Sequence, residues 1–246
     1  MGNEGVLNQV GGVPWEVYGN YNTAFTWGWI FNGSFYDYET NRVTANDPAI
    51  VESFEFLRDY YERYHAILPA VPADQRLVTG KAAMSFEVST TFKNMRARLG
   101  DDSIGAGLMP YKDGGTPNPS WIGGWAMGIL PDTPHPDLAW EFVRFVTATP
   151  EGTDAFGRTS GAVPAYLKSP VHEAYLDDPV MSVYLEIAQS ARNRRPGMPV
   201  VADYASEIGN ALTDVLTGKK QPQDALELVN STIQKKLDEA MSDNVQ

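Results

Sequence analysis

Prolines at the start of helical patterns constrain the fold of this chain more than any other feature of its sequence. Pro48 follows Asp47, a carboxylate that can cap a helix, and apolar or aromatic residues then recur at spacings of four, three, four and three: Ile50, Phe54, Leu57, Tyr61 and Tyr64. Proline suits the first turn of a helix, where its missing N–H has no partner to lose. The pattern therefore predicts an amphipathic helix.

Further helices are predicted at 136–147, 150–156, 179–192, 203–217 and 222–241, and all but 203–217 begin at a proline. Short apolar stretches lie between the helical patterns, and we expect strands at 77–88, 103–110 and 122–129. Residues 22–37 predict a buried helical turn or strand with a sharp turn at Asn32–Gly33. Strands interleaved with helices indicate an α/β fold with helices packed on a mixed sheet.

Length and charge limit the classes of protein to which the chain can belong. A chain of 246 residues can bury about 75% of its unfolded surface, enough for one large domain or two smaller ones that share a hinge. Its net charge of −12 would repel DNA or RNA, so we expect no nucleic-acid partner. No apolar run approaches the ~18 residues of a membrane span, and the first residues lack the pattern of a signal peptide.

The residues that most enzymes use are missing or scattered. The chain has no cysteine, and its histidines, His65, His135 and His172, are too far apart in sequence for a metal motif. No phosphate-binding loop and no nucleophile elbow is present, so we predict no cofactor, no metal and no catalytic residue. Glu87 stands among apolar residues in MSFEV, either as an edge-strand residue that faces water or as a hydrogen-bond acceptor in a cleft.

Aromatic residues in loops and at strand ends are the remaining candidates for a binding site: Trp15, Tyr18, Trp27, Trp29, Trp121, Trp125 and Tyr204. For any one of them, burial in the core is the more common role. Trp125 differs because Gly123 and Gly124 precede it. Two glycines inside a strand cost stability unless something must come close, and they leave the indole open to a flat ligand. Sugars suit such a site, because their C–H faces stack on rings while their hydroxyls bind carboxylates and guanidinium groups.

Several segments, taken in their order, resemble one family. They are TWGWIFNGSFYD, NDPAIVESFEFLRDYYERY, GKAAMSF, GLMPY, IGGWAMGI, DLAWEFVRFVTATPEG, SGAVPAY and RRPGMPVVADYASEIGNAL. Together they are similar to the C-terminal part of an extracellular solute-binding protein of an ABC importer. The subgroup that binds maltose, trehalose and related oligosaccharides is the most similar, and the resemblance extends from about Gly19 onward.

This resemblance implies a periplasmic-binding-protein-like fold of two α/β lobes that close on a ligand. Residues 1–121 would form the first part of the second lobe. Residues 122–164 would supply a crossover strand and helices of the first lobe, and residues 165–246 the C-terminal helices of the second lobe.

The resemblance also implies a site and partners. Gly123, Gly124 and Trp125 would line the cleft, Arg195 would reach a sugar hydroxyl, and Glu87 would make a polar contact. We add Trp27 and Tyr204 as candidate ligand-binding aromatics. The implied partners are a sugar and the transmembrane subunits of an ABC permease.

Most of the family's first lobe and its signal peptide have no counterpart before Met1, so we expect a truncated chain of a periplasmic protein or extracellular lipoprotein. Leu138, Trp140, Phe142 and Phe145 would then lack the core on which they pack, which predicts self-association or domain exchange.

Two other interpretations remain open from the sequence. A carbohydrate-active enzyme could use Glu87 with a second acid such as Asp203, since the sequence does not show which carboxylates lie close in space. A structural or interaction module would instead bury all of the aromatic residues in its core.

Overall fold

The computed structural model describes residues 10–16, 18–64 and 75–243. Its helices are α1 (Asn20–Ile30), α2 (Pro48–Tyr64), α3 (Ser89–Leu99), α4 (Pro136–Ala148), α5 (Pro150–Ser160), α6 (Val171–Leu176), α7 (Met181–Ser190), α8 (Val201–Leu216) and α9 (Pro222–Asp243). Its strands are β1 (Val10–Val13), β2 (Tyr36–Asp37), β3 (Arg42–Val43) and β4 (Ala82–Ser85), and a 3₁₀ turn covers Asp101–Ser103. The structure is mixed and mostly helical.

The helices that the sequence predicts to begin at Pro48, Pro136, Pro150 and Pro222 are confirmed. The helix predicted at 179–192 begins two residues later, at Met181, and α6 precedes it as a separate short helix. Asp178 explains this start, because its carboxylate accepts hydrogen bonds from the backbone N–H groups of Val180 and Met181.

Two compact units make up the chain. The first contains the described residues of Met1–Phe86, Met109–Trp121 and Arg192–Gln246, and the second contains Glu87–Leu108 and Ile122–Ala191. The second unit thus includes residues 87–108 and 165–191 as well as 122–164. The units' boundaries differ from the ranges inferred from the resemblance, and the assignment of ranges to lobes stays a prediction.

Helices α1, α2, α8 and α9 form the core of the first unit. Ile50, Phe54 and Leu57 of the predicted amphipathic pattern are fully buried, whereas the side chain of Tyr64 lies outside the described residues, as does His65. Gly209 lets α8 approach α1 closely, since a Cβ there would stand 3.1 Å from the backbone nitrogen of Tyr21.

Two small sheets complete the first unit. β1 and β4 are parallel, with Gly12 opposite Met84, and β2 and β3 are antiparallel, with Tyr36 opposite Val43. The turn predicted at Asn32–Gly33 is confirmed, because Asn32 adopts a left-handed φ of 69° directly after α1. These turns and pairings hold the ends of α1 and α2 in place.

The second unit has a smaller core among its described residues: Phe92, Val171, Tyr175, Val180, Met181 and Leu185. The Tyr175 hydroxyl donates to the backbone oxygens of Gly157 and Ala162, which ties α6 to the end of α5. Arg96 of α3 is paired with the carboxylate of Asp178. Helices α4 and α5 meet at Gly152, where a Cβ would lie 2.0 Å from the backbone oxygen of Phe145.

The strands predicted at 103–110 and 122–129 are wrong. The described structure has no strand in either range, and most of their side chains are exposed. A strand needs a neighbouring strand with which to share its backbone hydrogen bonds. Among the described residues, no such neighbour pairs with the interior of either range. The strand predicted at 77–88 is confirmed only for Ala82–Ser85.

Within the described residues, no helix combines the length and the apolar character that crossing a lipid bilayer requires.

Candidate functional site

A cluster of one basic, one acidic and two aromatic side chains lies in the first unit. The guanidinium carbon of Arg195 stands 5.8 Å from the centroid of the Trp121 ring and 5.9 Å from that of Tyr21. The Trp121 side chain also lies near the carboxylate of Glu16 and lowers its pKa. We call these four residues, Glu16, Tyr21, Trp121 and Arg195, the Arg195 cluster.

Short backbone contacts position the members of the Arg195 cluster. Trp121 forms an isolated parallel bridge with Asn193, and the Asn193 amide donates a hydrogen bond to the backbone oxygen of Pro119 at 2.6 Å. These contacts join the segment that ends at Trp121 to the segment that contains Arg195. Tyr21 lies in the first turn of α1, so three separate parts of the chain meet at the Arg195 side chain.

Glu16 lies in the connection between β1 and α1 and is 6% exposed. The hydroxyl of Thr26 donates to its carboxylate at 2.7 Å, and its own backbone N–H donates to the hydroxyl of Thr23 at 3.0 Å. Burial raises the pKa of the Glu16 carboxyl, and the hydrogen bond from Thr26 and the nearby Trp121 side chain oppose that shift. The carboxylate is thus held by the hydroxyl of Thr26 in α1, and the Trp121 side chain lies near it.

The donors of Arg195 are free of protein partners in the part of the chain that the structure describes. Its side chain is exposed, and no hydrogen bond or ion pair is recorded for it there. A guanidinium that lies over aromatic rings is held in one orientation, and its planar donors then face outward. Such a group can donate to paired hydroxyls.

In the second unit, Trp125 is 97% exposed, so the interpretation of Trp125 as a core residue is wrong. A Cβ at Gly124 would meet no atom within 4 Å, which means that no described residue approaches the backbone at this point. The space beside Trp125 is open to a ligand. The role predicted for Gly123, Gly124 and Trp125 stays a prediction.

Glu87 lies after β4 and two residues before α3, not in the middle of a strand. Its carboxylate accepts a hydrogen bond from the hydroxyl of Thr91 at 3.0 Å, and its backbone oxygen accepts one from Tyr184 at 3.3 Å. It is half-buried in the second unit. The carboxylate thus contacts the first turn of α3, and whether it also contacts a ligand remains a prediction.

Two of the residues predicted to bind the ligand have almost no exposed surface. Tyr204 is fully buried, and its hydroxyl donates to the backbone oxygen of Phe35 at 2.9 Å. Trp27 is 8% exposed, its indole N–H donates to the backbone oxygen of Pro14 at 2.8 Å, and its ring stacks on Phe56. Both are core residues of the first unit.

The enzyme alternative requires a second acid, and Asp203 does not suit that role. The Lys236 ammonium hydrogen-bonds to the Asp203 carboxylate and lowers its pKa. A general acid of a glycosidase needs a raised pKa instead. Among the described residues, no group of three or more acidic or histidine side chains could hold a metal ion.

Comparison with protein families identifies the chain. Residues 8–182 match the family model of the bacterial extracellular solute-binding protein, which is more than half of the sequence. The chain belongs to this family. The resemblance inferred from the order of the sequence segments is therefore confirmed, and members of the family, as its name states, are extracellular. A family of solute-binding proteins does not favour the enzyme alternative.

Solved structures of solute-binding proteins share the fold of this family member. The GacH receptor of Streptomyces glaucescens, solved without ligand and with acarbose, matches with a TM-score of 0.82 and 17% identity over 94% of this chain. A solute-binding protein of Thermotoga lettingae bound to alpha-D-tagatose matches at 0.77 and 18%, and the maltose-bound MalE3 of T. maritima at 0.79 and 18%. The chain spans about 60% of the length of these structures.

Sequence reasoning found Arg195 but missed Glu16 and Tyr21, and it considered Trp121 only as one aromatic among several. One signal was available for Glu16, namely an acidic residue directly after Trp15 in an otherwise uncharged stretch. No spacing rule connects residues 16, 21, 121 and 195, since the fold alone brings them together.

Proposed function

We propose that the chain forms part of a solute-binding protein that captures a sugar or a related polyol and delivers it to the permease of an ABC importer. The observation that carries this proposal is the Arg195 cluster, in which an exposed guanidinium without a hydrogen bond to any described residue lies over two aromatic rings. Family membership supplies the class of protein, and the cluster supplies the class of ligand.

The chemistry of the cluster suits a sugar because it offers both kinds of contact that a sugar needs. Hydroxyl groups of the ligand would accept hydrogen bonds from Arg195, whose donors lie in one plane. The ring of Trp121 offers an apolar face beside them. Glu16 lies near the side chain of Trp121, so we assign it the role of positioning the indole.

Known ligands of the structural neighbours fall in the same chemical class. The neighbours were solved with alpha-D-tagatose, acarbose, maltose, maltotriose and ribitol. All of these carry several vicinal hydroxyl groups, and none carries a strong charge that an acidic chain would repel. This set is a reasonable panel for the first titrations.

A second set of contacts is proposed for the other unit. Trp125, with the open backbone of Gly124 beside it, would stack on the apolar face of the sugar, and Glu87 would accept a hydroxyl hydrogen bond. Burying about 80 Å² of apolar surface in such a stack contributes about 2 kcal/mol.

We also propose that the protein works outside the cytoplasm and delivers its ligand to a permease. The importer's transmembrane subunits would receive the loaded protein, which would be either periplasmic or anchored as a lipoprotein. The family's extracellular character supports the location.

Titration of Arg195→Lys tests the contribution of the Arg195 cluster. We expect affinity for the best sugar of the panel to fall by about 1.5–3 kcal/mol, or more than about tenfold, because lysine lacks the planar fork. Arg194→Lys is the matched control, since the guanidinium of Arg194 lies over Tyr38 instead, and it should leave affinity unchanged. Isothermal titration of the 246-residue chain measures both. If no sugar of the panel bound to the chain, the proposal would be overturned.

Titration of Trp125→Ala tests the stacking contact in the second unit. Affinity should fall about thirtyfold, while the free energy of unfolding should change little because the ring is exposed. Trp140→Ala removes another exposed indole from the same unit and is the control. Unchanged affinity in Trp125→Ala would remove Trp125 from the site without affecting the evidence from Arg195.

A further inference from the structure

Glu16 is a buried carboxylate that belongs to the Arg195 cluster. It is 6% exposed, the hydroxyl of Thr26 donates to it at 2.7 Å, and the side chain of Trp121 lies near it. The guanidinium carbon of Arg195 stands 5.8 Å from the centroid of the same Trp121 ring. A proton that Glu16 binds or loses is therefore one side chain away from the groups that would contact the sugar.

The segments packed around Glu16 in the described structure bring three titratable side chains to its surroundings: Tyr21 from α1, Arg76 from the turn before β4 and Arg195 from the segment before α8. Arg76 donates through Nη1 to the backbone oxygen of Trp15 at 3.4 Å. Burial, Thr26 and Trp121 account for the shift in the pKa of the Glu16 carboxyl. Glu16 therefore gains and loses its proton largely independently of the three titratable neighbours.

The side chain of Trp121 favours the ionised form of Glu16, because it lowers the pKa of the carboxyl. The N–H is the only polar group of an indole, and a charged acceptor binds a donor more strongly than a neutral one. Coupling between two equilibria is reciprocal, so the ionised carboxylate in turn stabilises the position that Trp121 holds in this structure. Protonation of Glu16 removes that support.

Burial under a ligand would act in the opposite direction, since removal of water favours the neutral form of a carboxyl group. Glu16 is already 6% exposed, so a sugar can remove little more of its water. The contact with Trp121 therefore decides the sign, and the cluster is better ordered when Glu16 is charged. An ordered site binds more tightly, because less conformational freedom is lost when the ligand arrives.

We propose that ionised Glu16 is the binding-competent form of the Arg195 cluster, so that sugar binding releases a proton to solvent and weakens in acidic surroundings. This inference rests on the proposed function, because its ligand is the sugar that Trp121 and Arg195 would contact. The charged form that favours binding is also the form that burial disfavours. The protein is thus less stable in the state in which its site is better ordered, a trade-off that binding sites commonly show.

Isothermal titration of the 246-residue chain with the best sugar of the panel, at about pH 5 and at about pH 8, tests the proposal. We expect the dissociation constant of the native protein to be about two- to tenfold higher at the lower pH, which corresponds to one hydrogen bond. Titrations at the lower pH in two buffers with different ionisation enthalpies should show the release of a proton. Glu16→Gln should bind equally well at both pH values and release no proton.

Two further variants separate the link through Trp121 from a general effect of pH. Trp121→Phe keeps an aromatic ring but has no N–H, so it should lose the pH dependence while it still binds the sugar. Glu39→Gln changes an exposed glutamate of the first unit and should keep the pH dependence of the native protein. Circular dichroism at both pH values establishes that each variant is folded.

The possible failures of this inference and of the proposed function are distinguishable. Equal affinity of the native protein at both pH values would overturn this inference and leave the proposed function intact. A pH dependence that persists unchanged in Glu16→Gln or in Trp121→Phe would have the same meaning. If no sugar bound at either pH value, the proposed function itself would fail, and this inference with it.

Discussion

Glu16 is the buried acidic residue on which the geometry of the Arg195 cluster depends. Its carboxylate receives a hydrogen bond from Thr26 of α1, and the Trp121 side chain lies near it. The pKa of the carboxyl is nevertheless raised from its ordinary value of 4.5, because the loss of hydration outweighs the stabilisation of the charge by Thr26 and Trp121. The protein thus keeps an ionisable group where the charged form is unfavourable, which is typical of a site that positions other residues.

Glu16→Gln should reveal this cost as a pH dependence of stability. At pH values between 4.5 and the raised pKa, folded Glu16 binds a proton that unfolded Glu16 has lost. Stability of the native protein therefore falls as pH rises through that window, and Glu16→Gln abolishes the fall. The variant should gain stability relative to the native protein between about pH 4 and about pH 7, as urea unfolding at both pH values would measure.

Glu173→Gln, which changes an exposed glutamate of α6, is the control and should show no such gain. The prediction would be contradicted if the free energies of unfolding of Glu16→Gln and the native protein differed by the same amount at both pH values. Glutamine keeps a side-chain oxygen that can accept from Thr26 and removes the ionisable group.

At this scale the sequence predicted which residues are chemically capable of binding, but not which of them are exposed. Trp27 and Tyr204 were reasonable candidates by residue type, yet packing in the first unit buries both. Arg195 and Trp121 are 74 positions apart in sequence, and a single backbone bridge at Asn193 brings them together. Contacts of this kind arise from tertiary packing, which local patterns do not encode.

At the scale of elements, local patterns predicted helices well and strands poorly. A helix satisfies its own backbone, so a proline start and an apolar period of 3.6 residues identify α2, α4, α5 and α9. Helix α1 is buried along most of its length and so lacks the polar face that would have separated helix from strand. A strand depends on a partner, and apolar composition at 103–110 and 122–129 carries no information about one.

Gly152 is the element-scale position at which a substitution should be least tolerated in the second unit. Its N–H donates to the hydroxyl of Thr149 at 3.1 Å, and its Cα faces the backbone of Phe145 at the end of α4. Gly152→Ala would place a methyl group 2.0 Å from the Phe145 oxygen. We expect a loss of about 1–3 kcal/mol or more in the free energy of unfolding, because backbone must move to relieve the contact.

Gly105→Ala is the matched control, since a Cβ at that position meets nothing within 4 Å. Denaturant unfolding of both variants, followed by circular dichroism, measures the difference. Equal stability of Gly152→Ala and Gly105→Ala would show that α4 and α5 do not meet as the structure describes.

At the scale of the whole molecule, the two units differ in how much apolar surface they bury. Helix α8 alone contributes five buried residues to the first unit: Tyr204, Ile208, Ala211, Leu212 and Val215. The core of the second unit contains six buried residues in its described part, and α4 contributes none of them. Burial of apolar side chains is the dominant stabilising term, so the second unit should open more readily than the first.

Hydrogen exchange should therefore show two levels of protection in the 246-residue chain. Amides of α8 and α9 should exchange only through global unfolding of the first unit, whereas amides of α4 should exchange at least about tenfold faster through local opening. The measurement belongs at low protein concentration, where contacts between molecules do not add protection. Mass spectrometry of peptides from α4 and α8 gives the comparison. Equal protection of the two helices would mean that the units unfold as one cooperative body, and that the small core of the second unit does not limit its stability.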